Sequence, residues 1–67
     1  MFTFIHMIRH KGIYYNIGDV VRVELRTNLC HEGVIDNIKT NTVTLKMAVG
    51  GFKSINIKRI ISIEKVG

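Results

Sequence analysis

The feature that most constrains this chain is a repeated alternation of apolar and polar residues over short segments, separated by turn-forming residues. Successive side chains of a β-strand point to opposite faces, so this spacing predicts half-buried strands. The alternation is clearest in residues 20–26 and 42–47. The positions predicted to face inward there are Val21, Val23, Leu25, Val43, Leu45 and Met47.

Five strands follow from this pattern and from the turn signals between them. They are predicted over residues 20–26, 29–38, 42–47, 53–58 and 61–66, with turns at Thr27-Asn28, 39–41, Gly50-Gly51 and Arg59-Ile60. Gly33 lies inside the second strand and predicts a sharp bend there. Five short strands joined by short turns predict an all-β fold, a small and strongly bent closed barrel over residues 19–67.

Residues 1–18 allow two interpretations. The apolar residues of segment 4–13 are spaced for an amphipathic helical turn, whereas the aromatic residues, with the Tyr14-Tyr15 pair, suit an extended arm. The turn signal at residues 16–19 leads into the first strand. We therefore expect an N-terminal arm or short helix that packs across an open end of the barrel.

The small size of the chain makes self-association an expectation. A chain of 67 residues and 7.6 kDa can hold one domain, and burying about 60% of its unfolded surface leaves it marginally stable. Cys30 is the only cysteine, so no disulfide can compensate, and oligomerisation is the remaining common route. An unpaired thiol and the absence of signal-peptide features lead us to expect a cytoplasmic protein.

The charge balance favours an anionic partner. Ten Lys and Arg residues oppose five Asp and Glu residues, giving a formal net charge of +5. A solvated lysine-rich face that protects sheet edges is the alternative explanation.

Enzymatic and cofactor motifs are weak or missing in the sequence. Cys30 and His31 are neighbours along a strand, so they are expected on opposite faces and cannot share a proton. His6 and His10 have helical spacing, but no Cys-x-x-Cys pair completes a zinc site. We therefore expect no catalysis, no cofactor, no metal and no membrane segment.

Two segments resemble motifs of the Sm-like proteins. Residues 21–35, with alternating apolar residues, a turn and then Gly33-Val34-Ile35, resemble the first Sm motif, and the loop spacing is that of Hfq, the bacterial RNA chaperone. Residues 57–62, Ile-Lys-Arg-Ile-Ile-Ser, are similar to the Tyr-Lys-His-Ala-Ile-Ser run of that family. The resemblance covers about two thirds of the chain. It implies an SH3/Sm-like barrel in a homo-oligomeric ring, whose fifth strand pairs with the fourth strand of its neighbour.

The resemblance also implies an RNA-binding surface. Asn41 falls in the loop where Sm-like proteins contact a base, and Lys58 and Arg59 fall where the bacterial family places a Lys-His pair that binds uridine-rich RNA. Lys39 and Lys46 would extend the basic surface. The implied function is non-catalytic binding of single-stranded RNA in post-transcriptional regulation.

Some positions depart from the family pattern. Asn41 stands in place of a base-stacking aromatic residue, and Arg59 in place of the histidine. Glu24 replaces an aromatic residue used for purines on the opposite face. Two other functions stay open: an SH3-like adaptor, monomeric or dimeric, that binds a protein partner by edge-strand addition, and a KOW- or Tudor-like accessory domain.

Overall fold

The computed structural model describes residues 7–66, which form β-strands, tight turns and one short 3-10 helix. The strands are β1 (Met7–His10), β2 (Ile13–Asn16), β3 (Val20–Leu25), β4 (Cys30–Ile38), β5 (Thr42–Met47), β6 (Phe52–Asn56) and β7 (Ile60–Lys65), and the 3-10 helix is Ile57–Arg59. The prediction of an all-β fold is confirmed. No helix within these residues is long and apolar enough to span a membrane.

The strands form two antiparallel sheets. β1 and β2 make a hairpin, and the other five strands make one sheet in the order β6-β5-β4-β3-β7. The prediction of a closed barrel is wrong, because no ladder within residues 7–66 joins β6 to β7. The 3-10 helix separates these two strands and carries the chain across the end of the sheet, so β7 pairs with β3 instead.

Two backbone hydrogen bonds hold the 3-10 helix in this crossing position. At its start, the Ile57 amide donates to the Asn41 carbonyl at 2.9 Å. At its end, the Arg59 carbonyl accepts from the Arg26 amide at 3.0 Å. The helix therefore touches the β4-β5 turn at one end and the β3-β4 turn at the other. The predicted continuous strand over residues 53–58 is wrong, because β6 ends at Asn56.

The apolar core of the described residues lies on one face of the five-stranded sheet. Both edge strands contribute to it, so the sheet is curled around the core although its edges do not pair. The predicted inward positions are confirmed, with Met47 half-buried at the margin. The buried residues are Tyr15, Val21, Val23, Leu25, Ile35, Ile38, Val43, Leu45, Ile55, Ile60 and Ile63.

Two β-bulges change which residues reach that core. In β4, Asp36 is an extra residue opposite β5, so Ile38 faces inward three positions after Ile35. In β7, Ile61 is the extra residue opposite β3, and Ile60 and Ile63 are both buried. A bulge inserts one residue into a strand and bends it, which accounts for the spacing of three and for the curl of the sheet.

Gly33 lies at a close approach of the β4 and β5 backbones. It pairs with Val21 on one side and with Met47 on the other. A Cβ atom at this position would overlap the Lys46 carbonyl oxygen. Glycine is therefore required by the approach of the neighbouring backbone, in line with the bend that the sequence predicts here.

The N-terminal segment forms a hairpin, so the helical alternative is wrong over residues 7–16. Lys11 and Gly12 connect β1 to β2 with φ of 51° and 83°, the positive values of a type I′ turn. Tyr15 is buried in the core, and its hydroxyl donates to the Ile63 carbonyl at 2.8 Å. The hairpin is thus packed on the sheet. Residues 1–6, for which the sequence leaves both the helix and the extended arm open, lie outside the described residues.

Candidate nucleic-acid interface

Four of the five predicted RNA-binding residues lie at one end of the sheet, which we call the basic corner. Lys58 and Arg59 are exposed on the 3-10 helix, and Lys39 and Asn41 are exposed in the β4-β5 turn. The bond between the Ile57 amide and the Asn41 carbonyl joins these two segments. The basic corner consists of Lys39, Asn41, Lys58 and Arg59.

The local sequence explains why this corner is well formed. The Asn56 side chain caps the 3-10 helix by accepting a hydrogen bond from the Lys58 amide at 2.9 Å. In the facing turn, the Lys39 amide donates to the Thr42 carbonyl at 2.8 Å. Since backbone bonds fix both segments, the four side chains project from a defined frame.

Lys46 is the predicted residue that the structure does not bring to the basic corner. It lies near the far end of β5, paired with Val34 on one side and Phe52 on the other. It lies four positions after Thr42, about 13 Å along the strand at about 3.3 Å per residue. Lys46 therefore belongs to a different part of the surface.

A half-open groove of about 620 Å³ lies beside the basic corner. It runs between the β3-β4 turn on one side and β6 with the 3-10 helix on the other. Three apolar side chains line it: Leu25, Leu29 and Ile55. Of these, Leu29 is exposed and the other two belong to the core. We call this feature the cationic groove, for the charges described next.

Three basic residues line the cationic groove. They are Arg26 in the β3-β4 turn, Lys53 on β6 and Arg59, which the groove shares with the basic corner. The hydrogen bond between the Arg26 amide and the Arg59 carbonyl joins their backbones. None of the described residues that line the groove is acidic. Its electrostatic potential therefore favours an anion.

His31 also lines this groove. It is half-buried opposite Val23, on the face that also carries Gly33 and Ile35. Its Nε2 atom is buried and has no hydrogen-bond partner among residues 7–66. A buried nitrogen without a partner costs folding free energy, so the fold itself does not explain this histidine.

Sequence reasoning missed Arg26, His31 and Lys53 as members of one site. Lys53 and Ile55 share a face of β6, and His31 shares a face with Gly33, so alternation alone could have placed both side chains inward. The curl that brings β6 near the β3-β4 turn depends on the bulges and the 3-10 helix, which alternation does not reveal. Neighbouring Cys30 is exposed, as the opposite-face prediction requires.

The acidic residues mostly support structure. The Asp19 carboxylate accepts from the Asn16 amide at 2.8 Å and lies 3.7 Å from the Lys65 ammonium. Glu32 lies 3.5 Å from Arg22 on the outer face. Within the described part of the chain, no group of three or more His, Cys, Asp and Glu residues is placed to hold a metal ion. His6 lies outside that part.

The edge strands β6 and β7 expose backbone groups. Backbone groups of successive residues in a strand point to alternate sides, and the Val66 amide donates to the Val20 carbonyl of β3. The backbone groups of Ile63 and Lys65 therefore face the free edge of β7. The Tyr15 hydroxyl donates a hydrogen bond to the Ile63 carbonyl at this edge.

Known proteins add nothing to this geometry. Comparisons with models of protein families, with curated proteins and with solved structures gave no match to the chain. The resemblance to Sm-like proteins therefore stays a prediction from the sequence.

Proposed function

We propose that this chain is a non-catalytic, Sm-like subunit that binds single-stranded RNA and assembles into a homo-oligomeric ring in post-transcriptional regulation. The observation that carries the proposal is the hydrogen bond from the Ile57 amide to the Asn41 carbonyl. It places two segments that are distant in the sequence, 39–41 and 57–59, side by side. The basic corner is the result.

The chemistry of the basic corner suits RNA. The Asn41 amide can donate to and accept from a base edge, and the Arg59 guanidinium can stack on a base or bind a phosphate with two hydrogen bonds. Lys39 and Lys58 neutralise backbone phosphates. The adjoining cationic groove extends the positive surface with Arg26 and Lys53.

The order of the strands supports assembly through the edges of the sheet. The strand that follows the 3-10 helix returns to β3, so β6 and β7 become the two edges. Pairing of β7 with β6 of a neighbouring copy would satisfy exposed backbone groups on both copies. It would also enlarge the small core of each subunit.

The first test compares two double variants that lose the same charge. Lys58→Gln/Arg59→Gln removes two cations from the basic corner, whereas Arg9→Gln/Arg22→Gln removes two cations elsewhere on the surface. Fluorescence anisotropy with a uridine-rich oligonucleotide at physiological salt measures the affinity. We expect the corner variant to bind at least about tenfold more weakly, because each lost phosphate contact also lowers counterion release.

The matched variant controls for net charge. Arg9 lies over the Tyr14 ring and Arg22 pairs with the exposed Glu32, so their loss has little effect on stability. We expect this variant to bind RNA almost as the unmodified protein does. An equal loss of RNA affinity in both variants would mean that RNA binds through net charge alone and not at the basic corner. If the unmodified protein does not bind the oligonucleotide, the proposal is overturned.

One observation favours a second candidate, an SH3-like adaptor that binds a protein by edge-strand addition. The β6 edge carries Phe52, which is 64% exposed beside unpaired backbone groups. An extended peptide could add a strand here and place an apolar side chain against Phe52. A monomeric protein that ignores RNA in the test above would favour this function.

A further inference from the structure

The cationic groove combines an apolar lining with positive charge, which is the chemistry needed to hold a nucleotide. We propose that it binds one nucleotide, with the phosphate near Arg26, Lys53 and Arg59 and the base against the apolar lining. The inference rests on the proposed RNA function, because it assigns one nucleotide of the strand to a groove beside the basic corner. A free nucleotide carries the same chemistry, and the experiment separates the two sources.

The charges of the groove favour a phosphate beside its three basic residues. Arg26, Lys53 and Arg59 line one groove without a carboxylate among the described lining residues. The nearest acidic residue along β4, Glu32, lies on the outer face against Arg22. A phosphate in this groove would therefore meet cations that no carboxylate there neutralises, and guanidinium groups can bind it with two hydrogen bonds.

The size and the apolar lining of the groove suit the base of a nucleotide. The groove, at about 620 Å³, falls within the range of about 300–1,000 Å³ that is typical of small-ligand sites. Leu25, Leu29 and Ile55 offer the apolar surface that the flat face of a base requires. Thr42, Ser54 and Asn56 also line the groove, but the Asn56 side chain caps the 3-10 helix and the Ser54 hydroxyl lies 3.0 Å from that of Thr44, so the polar contacts of a base are left to His31 and the charged residues.

The unpartnered nitrogen of His31 is an independent observation that points to a ligand. Its ring lines the groove, yet its buried Nε2 has no hydrogen-bond partner among residues 7–66. A base bound in the groove lies beside this ring and offers polar atoms to its unpartnered nitrogen. The ligand would then provide the hydrogen bond that the described fold does not, which explains a polar residue at an inward position.

The experiment uses the unmodified chain labelled with ¹⁵N and three probes: uridine 5′-monophosphate, uridine and inorganic phosphate. We expect saturable amide shift changes with the nucleotide at His31, Ser54 and Arg59, and none at Val34 on the outer face. Uridine and phosphate should each bind at least about tenfold more weakly than the nucleotide, because each offers only half of the contacts.

Matched variants then assign the groove. Arg26→Gln and Lys53→Gln should each weaken nucleotide binding by roughly tenfold, the usual worth of a charge-assisted hydrogen bond. Arg22→Gln removes the same charge from the outer face of the neighbouring strand β3, four residues before Arg26, and should leave the affinity unchanged. His31→Leu fills the same inward position without a nitrogen, and we expect it to weaken the nucleotide but not inorganic phosphate.

The outcomes separate this inference from the proposed function. If the oligonucleotide binds but the nucleotide causes no saturable shifts, the RNA function stands and the groove inference is overturned. If the nucleotide binds in the groove but the oligonucleotide does not bind, the groove takes a free nucleotide and the RNA function is overturned. Equal affinity for phosphate and nucleotide would overturn the base half of the inference.

Discussion

Gly33 shows how a single residue permits the curvature of the sheet. The backbone of β5 lies close to Gly33 on one side, and Gly33 pairs with Val21 of β3 on the other. The sequence predicts a bend at Gly33, but the cause is the neighbouring Lys46 carbonyl, which sequence alternation does not identify. The sequence puts Lys39, Lys58 and Arg59 at or beside predicted turns, and the structure brings these turns to one end of the sheet, whereas their role in binding RNA stays a prediction.

Replacement of Gly33 tests this explanation. We expect Gly33→Ala to lower the free energy of unfolding by about 2–3 kcal/mol, because its Cβ overlaps a backbone oxygen that the β4-β5 ladder holds in place. Gly50→Ala is the control: Gly50 has a φ of 99° but open space around it, so about 1 kcal/mol is expected. Urea unfolding measures both, and equal losses would contradict the steric explanation.

At the scale of the elements, the bulges decide what sequence could and could not predict. Regular alternation predicts β3 and β5 and their inward residues, since neither carries an extra residue. It fails in β4 beyond Ile35 and at the start of β7, where an inserted residue reverses the faces. It also fails at the 3-10 helix, because three residues are too few to give a periodic pattern.

The two isoleucines at the start of β7 give a matched test of the bulge. Ile60 is 6% exposed and Ile61 is 39% exposed, although alternation from Ile63 would bury Ile61. We expect Ile60→Ala to cost about 2–4 kcal/mol, and Ile61→Ala less than about 1 kcal/mol, since both remove the same atoms from different environments. Thermal or urea unfolding compares them, and the opposite order would mean that β7 has no bulge.

At the scale of the whole molecule, the open edges determine how copies can associate. The Met47 amide donates to the Gly51 carbonyl, so by alternation the Lys53 amide faces β5 and the Ser54 amide faces the free edge. The β7 edge is partly occupied, because the Tyr15 hydroxyl bonds to the Ile63 carbonyl. In the proposed ring, a neighbouring β6 would displace this bond or pair with the remaining groups.

Proline substitutions on β6 separate folding from assembly. We expect Ser54→Pro to keep the fold but dissociate the proposed ring, because it removes an amide that faces the free edge. Lys53→Pro should instead unfold the chain, since it removes an amide that bonds to β5. Circular dichroism reports folding, and light scattering coupled to size exclusion reports mass. A folded Ser54→Pro variant with unchanged mass would exclude β6 from the interface.

The pairing of β7 with β3 also has a consequence for synthesis of the chain on the ribosome. β3 cannot gain its second neighbour until Ile60–Lys65 has left the exit tunnel, and Tyr15 likewise waits for Ile63, 48 residues later. Until then the nascent chain presents β3 as an open, apolar edge. Chaperones that cover this edge before β7 pairs should therefore influence how much of the protein escapes aggregation.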